Sequence, residues 1–303
     1  MKFQLNSLSS ALTVSAVILA SAACSKGGGG SADQPAAAPL SPVQQLQLDT
    51  TAKNVSDISG WQTATPRTVA TSADAVQASD AAKSAIQSKV SDPTACKVTI
   101  TEPQQQPGAA PMDPSQPMTT NIDSGVAIGG PGCPISFAWL SKQNQNFDMT
   151  AQSMSMTNEF SIQYRGQSTQ AQALDIDVYE FNMKVTMSGN QAGANGTITG
   201  SGQIVSRSQG TIVMAMNGTL QGNQQGSLST VVTSMKYPDG LLIEFKNVTA
   251  QTGRDAAPVN TYFINNAPVT EKVFQKYTKS FGMDKSGQQT GTAAPGGQGA
   301  PAR

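Results

Sequence analysis

Asp175 and Asp177 are the two side chains in this 303-residue sequence best spaced for acid and base work. On a strand, residues two apart point to one face with Cα atoms roughly 6.5–7 Å apart. That separation suits the paired carboxylates of a glycoside hydrolase. The same pair equally fits a solvated strand face opposite Ile176 and Val178. Other enzyme chemistries find little here. The chain has no histidine, and so lacks the commonest general base and the commonest metal ligand. No serine stands three residues before a lysine, and no Gly-Lys dipeptide opens a phosphate-cradling loop. The expectation is a non-enzymatic protein with no catalytic residue and no cofactor.

Methionine is the second unusual feature. Met154 and Met156, Met183 and Met187, and Met214 and Met216 recur at even spacing, so each pair shares one face of a strand. Thioethers are soft ligands for Cu(I), but such sites usually come with His or Cys support and tighter clustering, so no metal site is expected. A methionine-lined face is also adaptable and suits lipid tails or apolar peptides. These six residues are the candidate ligand-binding set, the plainer alternative being a sheet core filled by flexible side chains. Charge narrows the partners further. With 19 basic and 19 acidic residues, the chain has no basic footprint for nucleic acid.

The elements that must position these residues are mostly strands. Between Phe147 and Ala250 the apolar period is two. Met154, Met156, Phe160, Ile162 and Tyr164 share one parity, while Glu159, Ser161, Gln163 and Arg165 take the other. Parity flips between Ile176-Val178 and Phe181-Met183, which predicts a β-bulge near Tyr179-Glu180. Further strands are predicted over 197–206, 211–220, 228–237 and 241–248, with turns at the Gly and Asn clusters and at Pro238-Asp239-Gly240. Asn195-Gly196-Thr197-Ile198 recurs as Asn217-Gly218-Thr219-Leu220, a match that suggests a two-strand period in an up-and-down meander. Ile212, Met214, Met216 and Leu220 keep one parity through Asn217-Gly218, so that strand is read as continuous.

Helical spacing is weaker. Val43, Leu46 and Leu48 suggest a short first helix, Ala73 to Val90 a second, and Val269 to Phe281 a closing amphipathic helix with Val273, Phe274, Tyr277 and Phe281 on one face. The predicted fold is mainly β, of the α+β kind: a twisted antiparallel meander or half-barrel of eight to ten strands with helices at both ends. The organisation is a signal over 1–23, a tether over 24–41, one β-rich domain over 42–282 containing a disordered Pro-rich loop at 103–131, and a disordered tail over 283–303.

The N-terminus supplies an address. Lys2 is followed by an apolar run from Ala11 to Ala20, then Ser21-Ala22-Ala23-Cys24 and the tract Ser25-Lys26-Gly27-Gly28-Gly29-Gly30-Ser31. The run is about half the length needed to span a bilayer, as expected of a cleaved signal. The segment resembles the signal peptide of bacterial lipoproteins, where the cut falls before a cysteine that carries the lipid. Ala22 and Ala23 fit that pattern, whereas Ser21 stands where such signals mostly carry Leu. Ala20-Ser21-Ala22 also satisfies the small-x-small rule for ordinary secretory cleavage. The glycine tract favours the lipoprotein reading, since a flexible polar tether holds a folded body off a membrane. The resemblance implies an acylated Cys24, with palmitate among its chains, and anchoring in the bacterial cell envelope, at the outer membrane.

Of three cysteines, lipidation uses Cys24 and leaves Cys96 and Cys133, which in an oxidising compartment pair most simply with each other. The stretch between them carries Pro103, Pro107, Pro111, Pro114, Pro117 and Pro131, so a bridge would pin a loop at its base. The leading expectation is therefore a lipid-anchored envelope protein with a structural or interaction role and a membrane or envelope-protein partner. A carrier of lipid or apolar peptide on the methionine face comes second, and a carbohydrate hydrolase using Asp175 and Asp177 third.

Overall fold

A computed structural model of the chain describes residues 39–64, 72–90, 93–102, 118–148, 150–166, 175–190, 192–223, 226–252 and 255–278. Among the described residues two α-helices, α1 (Pro42–Ala64) and α2 (Ser72–Lys89), and a 3-10 turn (Pro93–Ala95) precede eleven strands. These are β1 (Lys97–Thr101), β2 (Met118–Gly129), β3 (Ile135–Asp148), β4 (Ser153–Gly166), β5 (Ile176–Asn190), β6 (Gly193–Ser206), β7 (Gly210–Asn223), β8 (Gly226–Lys236), β9 (Leu242–Thr252), β10 (Asp255–Ile264) and β11 (Ala267–Val269). Helix α3 (Glu271–Thr278) follows them. The strands form one antiparallel sheet in the order β1 to β11, an uninterrupted meander that does not close into a barrel.

Period-two patterning dictates one inner face. Register lines up Ile128, Phe137, Tyr164, Tyr179, Ile204 and Ile212 across six consecutive strands, all buried. Helices cover this end of the sheet. Helix α2 packs on β1 and β2, α3 on β10, and α1 on both other helices, so the helical layer runs from one sheet edge to the other. Leu48, Ala52, Val55 and Ile58 of α1 and Ala75, Ala78, Ala82 and Ile86 of α2 join the strand residues in one continuous core. Each large side chain buried there stabilises by about 1.5–3 kcal/mol. At the C-terminal end Tyr262 stacks on Phe245 and on Phe274 of α3, with ring centroids 5.4 and 4.7 Å apart, which locks the closing helix to the sheet.

Helix ends follow local chemistry. Ser41 caps α1 reciprocally: Gln44 N–H donates to Ser41 Oγ and Ser41 N–H to Gln44 Oε1, both at 3.2 Å, with Pro42 at the first helical position. That cap, with packing of Leu48 through Ile58, carries α1 far beyond the short helix predicted around Val43. Its apolar stripe is interrupted by buried Thr51 and Asn54, and so is inconspicuous in sequence.

Three other expectations need correction. Residues 118–129, predicted to belong to a loop over 103–131, form β2, because Ile122, Val126 and Ile128 alternate toward the core and pair with β3. Residues 103–117 of that loop lie outside the described residues, as do the signal, Cys24, most of the tether and the tail. The bulge lies between Ile176 and Val178, earlier than predicted, with Asp177 as the extra residue. The repeat does not mark a two-strand period. Its copies sit on adjacent antiparallel strands, where Gly196 opposes Leu220, Thr197 opposes Thr219 and Ile198 opposes Gly218. Each glycine instead makes room for the strand on its other side, Gly196 for Met187 of β5 and Gly218 for Val231 of β8.

Strands continue through 157–158 and through Asn217-Gly218, and Asn265-Asn266, with φ of 52° and 63°, makes the β10–β11 turn. The short β11 stands between that turn and the C-terminal helix.

Candidate functional site

Asp175 and Asp177 are held by the β6–β7 turn. Asp175 Oδ2 accepts from Ser206 Oγ at 2.6 Å and from Ser208 Oγ, and its Oδ1 accepts from Ser208 N–H at 3.1 Å. Asp177, bulged out of register, pairs with Arg207, whose Nε lies 2.6 Å from Oδ1. The turn is also tied to α1, since Gln209 Nε2 donates to the Gln47 carbonyl at 3.0 Å and Gln209 Oε1 accepts from Thr51 Oγ1 at 2.9 Å. Both carboxylates thus have partners within the turn. The bulge explains why two residues of equal parity take different jobs: Asp175 caps the turn, while Asp177 reaches the cation beyond it.

The six methionines do share the inner face, as parity required. Met156 opposes Met187 in register, and Met183 and Met216 flank Gly200 on neighbouring strands. Met183, Met214 and Met216 are buried in the continuous core. Met187 is half-buried against its edge, and Met154 is half-buried at the end of β4. The strands place the set on one surface, and the helix-capped part of that surface is filled by the protein's own side chains.

Two depressions open elsewhere. One of about 950 Å³ lies at the strand tips far from the helices, rimmed by Ser153, Asn190, Asn195, Gln221, Asn223 and Ser227, with no charged group among its described lining residues. The other, of about 470 Å³, lies over β3 to β6, where Lys142, Glu159 and Lys184 form a row and Lys184 Nζ sits 3.0 Å from Glu159 Oε1. Only Met183 of the methionine set lines either one.

No family model, curated protein or solved structure matches this chain.

The cysteines meet as predicted, Cys96 and Cys133 forming a disulfide with Cα atoms 4.7 Å apart. It joins the residue before β1 to the β2–β3 turn and closes the β1–β2 pair at the end where α2 packs. Among the described residues no cluster of three or more His, Cys, Asp or Glu could hold a metal ion. No helix among them is long and apolar enough to cross a membrane.

One grouping was invisible in the sequence. Gln143 and Gln145 of β3 and Asn158 of β4 place their side-chain amide nitrogens 3.9, 3.8 and 3.8 Å from the sulfur of Met156. Only the β3–β4 register, which sets Gln145 opposite Met156 and Gln143 opposite Asn158, brings them together.

Proposed function

We propose that this is an exported, lipid-anchored protein of the bacterial cell envelope, at the outer membrane, with a structural or interaction role. The observation that carries the reading is the Cys96–Cys133 disulfide. Such bonds persist in oxidising compartments, and this one leaves Cys24 as the single unpaired cysteine, directly after an apolar run and before a glycine tether. A non-enzymatic role agrees with the turn-bound carboxylates and with the absence of histidine. Interaction then falls to the polar outer face and strand tips, because the apolar face under the helices is occupied by the core.

Expression of the full chain in a Gram-negative host tests the anchor. Wild type is expected in the membrane fraction and to incorporate labelled palmitate, while Cys24→Ala is expected in the soluble fraction and unlabelled. Membrane retention of Cys24→Ala, or an unlabelled wild type, sinks the reading.

A carrier of lipid or apolar peptide is the second reading, favoured by Met154 and Met187, which stay half-buried on the inner face beyond the helix-covered part. Native mass spectrometry after removal of the N-terminal acyl chains separates the two. Retained lipid supports the carrier, and its absence the structural or interaction role.

A further inference from the structure

Met156 is 6% exposed, and among the described residues it is the one buried apolar side chain that does not belong to the continuous core. Met187 stands opposite it on β5, while polar groups face its sulfur from β3 and β4. The three amide nitrogens of Gln143, Gln145 and Asn158 converge on its sulfur, and Asn158 Oδ1 is buried without a hydrogen-bond partner. A thioether sulfur is a weak acceptor, so three convergent amide donors are far more than it can use. A sulfoxide differs from it by one oxygen, which is a strong acceptor and would project from the same sulfur into the same donors. Elsewhere on the inner face the cost of that oxygen runs the other way, since Met214 and Met216 lie in apolar core, where an unpaired polar atom is expensive.

We infer that Met156 is a site of reversible oxidation, its sulfoxide held by Gln143, Gln145 and Asn158. The co-reactant is a small peroxide, hydrogen peroxide in the simplest case. A sulfur lone pair attacks one peroxide oxygen, the O–O bond breaks as the S–O bond forms, and the departing hydroxide takes the remaining proton and leaves as water. Sulfur loses two electrons and peroxide gains them. A sulfoxide reductase reverses the change. The oxidant reaches the sulfur past half-buried neighbours, since Gln143, Gln145, Met154 and Met187 are all partly open to solvent. Oxidation of most buried methionines disrupts the fold, whereas here it completes hydrogen bonds that the thioether leaves weak.

The test uses the full chain purified from host membranes, treated with graded hydrogen peroxide and read by tandem mass spectrometry of its methionine peptides and by thermal unfolding. Met156 is expected to gain one oxygen while Met214 and Met216 remain thioethers and the protein stays folded. In Gln143→Leu/Gln145→Leu the same oxidation is expected to lower Tm by about 4 °C more than in wild type, because the new oxygen loses two donors. Other oxidised methionines act equally on both proteins and cancel. Should the double variant fail to fold, Met156→Gln decides. It sets an amide oxygen near the sulfoxide position and is expected to melt within about 2 °C of wild type, while Met214→Gln falls well below it. The inference is overturned if Met156 stays unoxidised after Met154 and Met187 have reacted, if oxidation lowers both Tm values equally, or if the two glutamine variants are equally destabilised.

Discussion

Phe181 lies against Gly202, its partner across the β5–β6 ladder: a Cβ added to Gly202 would stand 2.8 Å from Phe181 Cα and 2.9 Å from Cδ2. The same ring covers Gly200, where a Cβ would meet Phe181 Cζ at 2.8 Å. An aromatic side chain thus lies over neighbouring glycines on the inner face, filling space their missing side chains leave. At Gly202 the obstructing atoms include the Glu180 carbonyl, which cannot swing aside as a side chain can.

Gly202→Ala is therefore expected to destabilise by about 1–3 kcal/mol, the range for overpacking a well-filled site. Gly222→Ala is the contrast, since its nearest neighbour would be Ser227 Cβ at 3.9 Å. There the change is expected to be neutral or to stabilise by about 0.5 kcal/mol, because alanine loses less conformational freedom on folding. Urea unfolding of both variants checks the pair, and equal losses would refute the steric account.

The disulfide spans a sequence separation of 37 residues. On the chain-entropy model, closing a loop of that size stabilises by roughly 3–4 kcal/mol. Cys96→Ser/Cys133→Ser is expected to lose most of that in guanidinium unfolding, and reduction of wild type to lose a similar amount. The α2–β1–β2 corner should exchange its amide hydrogens faster than the rest of the sheet, as measured by hydrogen exchange.

Asp175 and Asp177 should separate cleanly by mutation. Asp175→Ala strips the β6–β7 turn of three hydrogen bonds and is expected to cost about 1–3 kcal/mol. Asp177→Ala removes an ion pair whose side chains are 45% and 36% exposed, and is expected to cost at most about 1 kcal/mol, less at high salt. Chemical unfolding at low and high ionic strength measures both. Hydrolysis of a β-linked or α-linked glycan panel by wild type, abolished in both Asp→Asn variants, would instead restore the hydrolase reading.

Alkaline pH should unfold the protein through its tyrosines. Burial, with the Glu271 charge adding and a hydrogen bond from Asn260 opposing, pushes Tyr262 up to about 12. Burial raises Tyr179 and Tyr237 too, and Tyr164, where the nearby Arg207 pulls the other way. An unfolded tyrosine titrates near 10, so the neutral phenol favours the folded state. This contribution is complete below about pH 10 and is lost as pH rises from about 10 toward 12. Phenolate absorbance is expected to appear together with loss of the folded circular-dichroism signal. Tyr262→Phe should show a shallower fall of Tm across that window, and an unchanged slope would count against it.

What the sequence determined by itself is the local and periodic part. Alternation over Met154 to Tyr164 and Ile212 to Leu220 specified strands and their inner faces, because a side-chain period of two leaves one choice of face once apolar residues take one parity. Asn265-Asn266 specified a turn, and setting Cys24 apart with the signal-like segment before it left Cys96 and Cys133 as the simplest pair. Strand β2 was hidden by the prolines that precede it and by its Thr, Asn and Ser content, since its burial depends on pairing with β3. Pairing likewise decided that Asp175 and Asp177 serve a turn and that three amides face the sulfur of Met156. Register joins residues from different strands, and no feature within a single strand records which neighbour it will face.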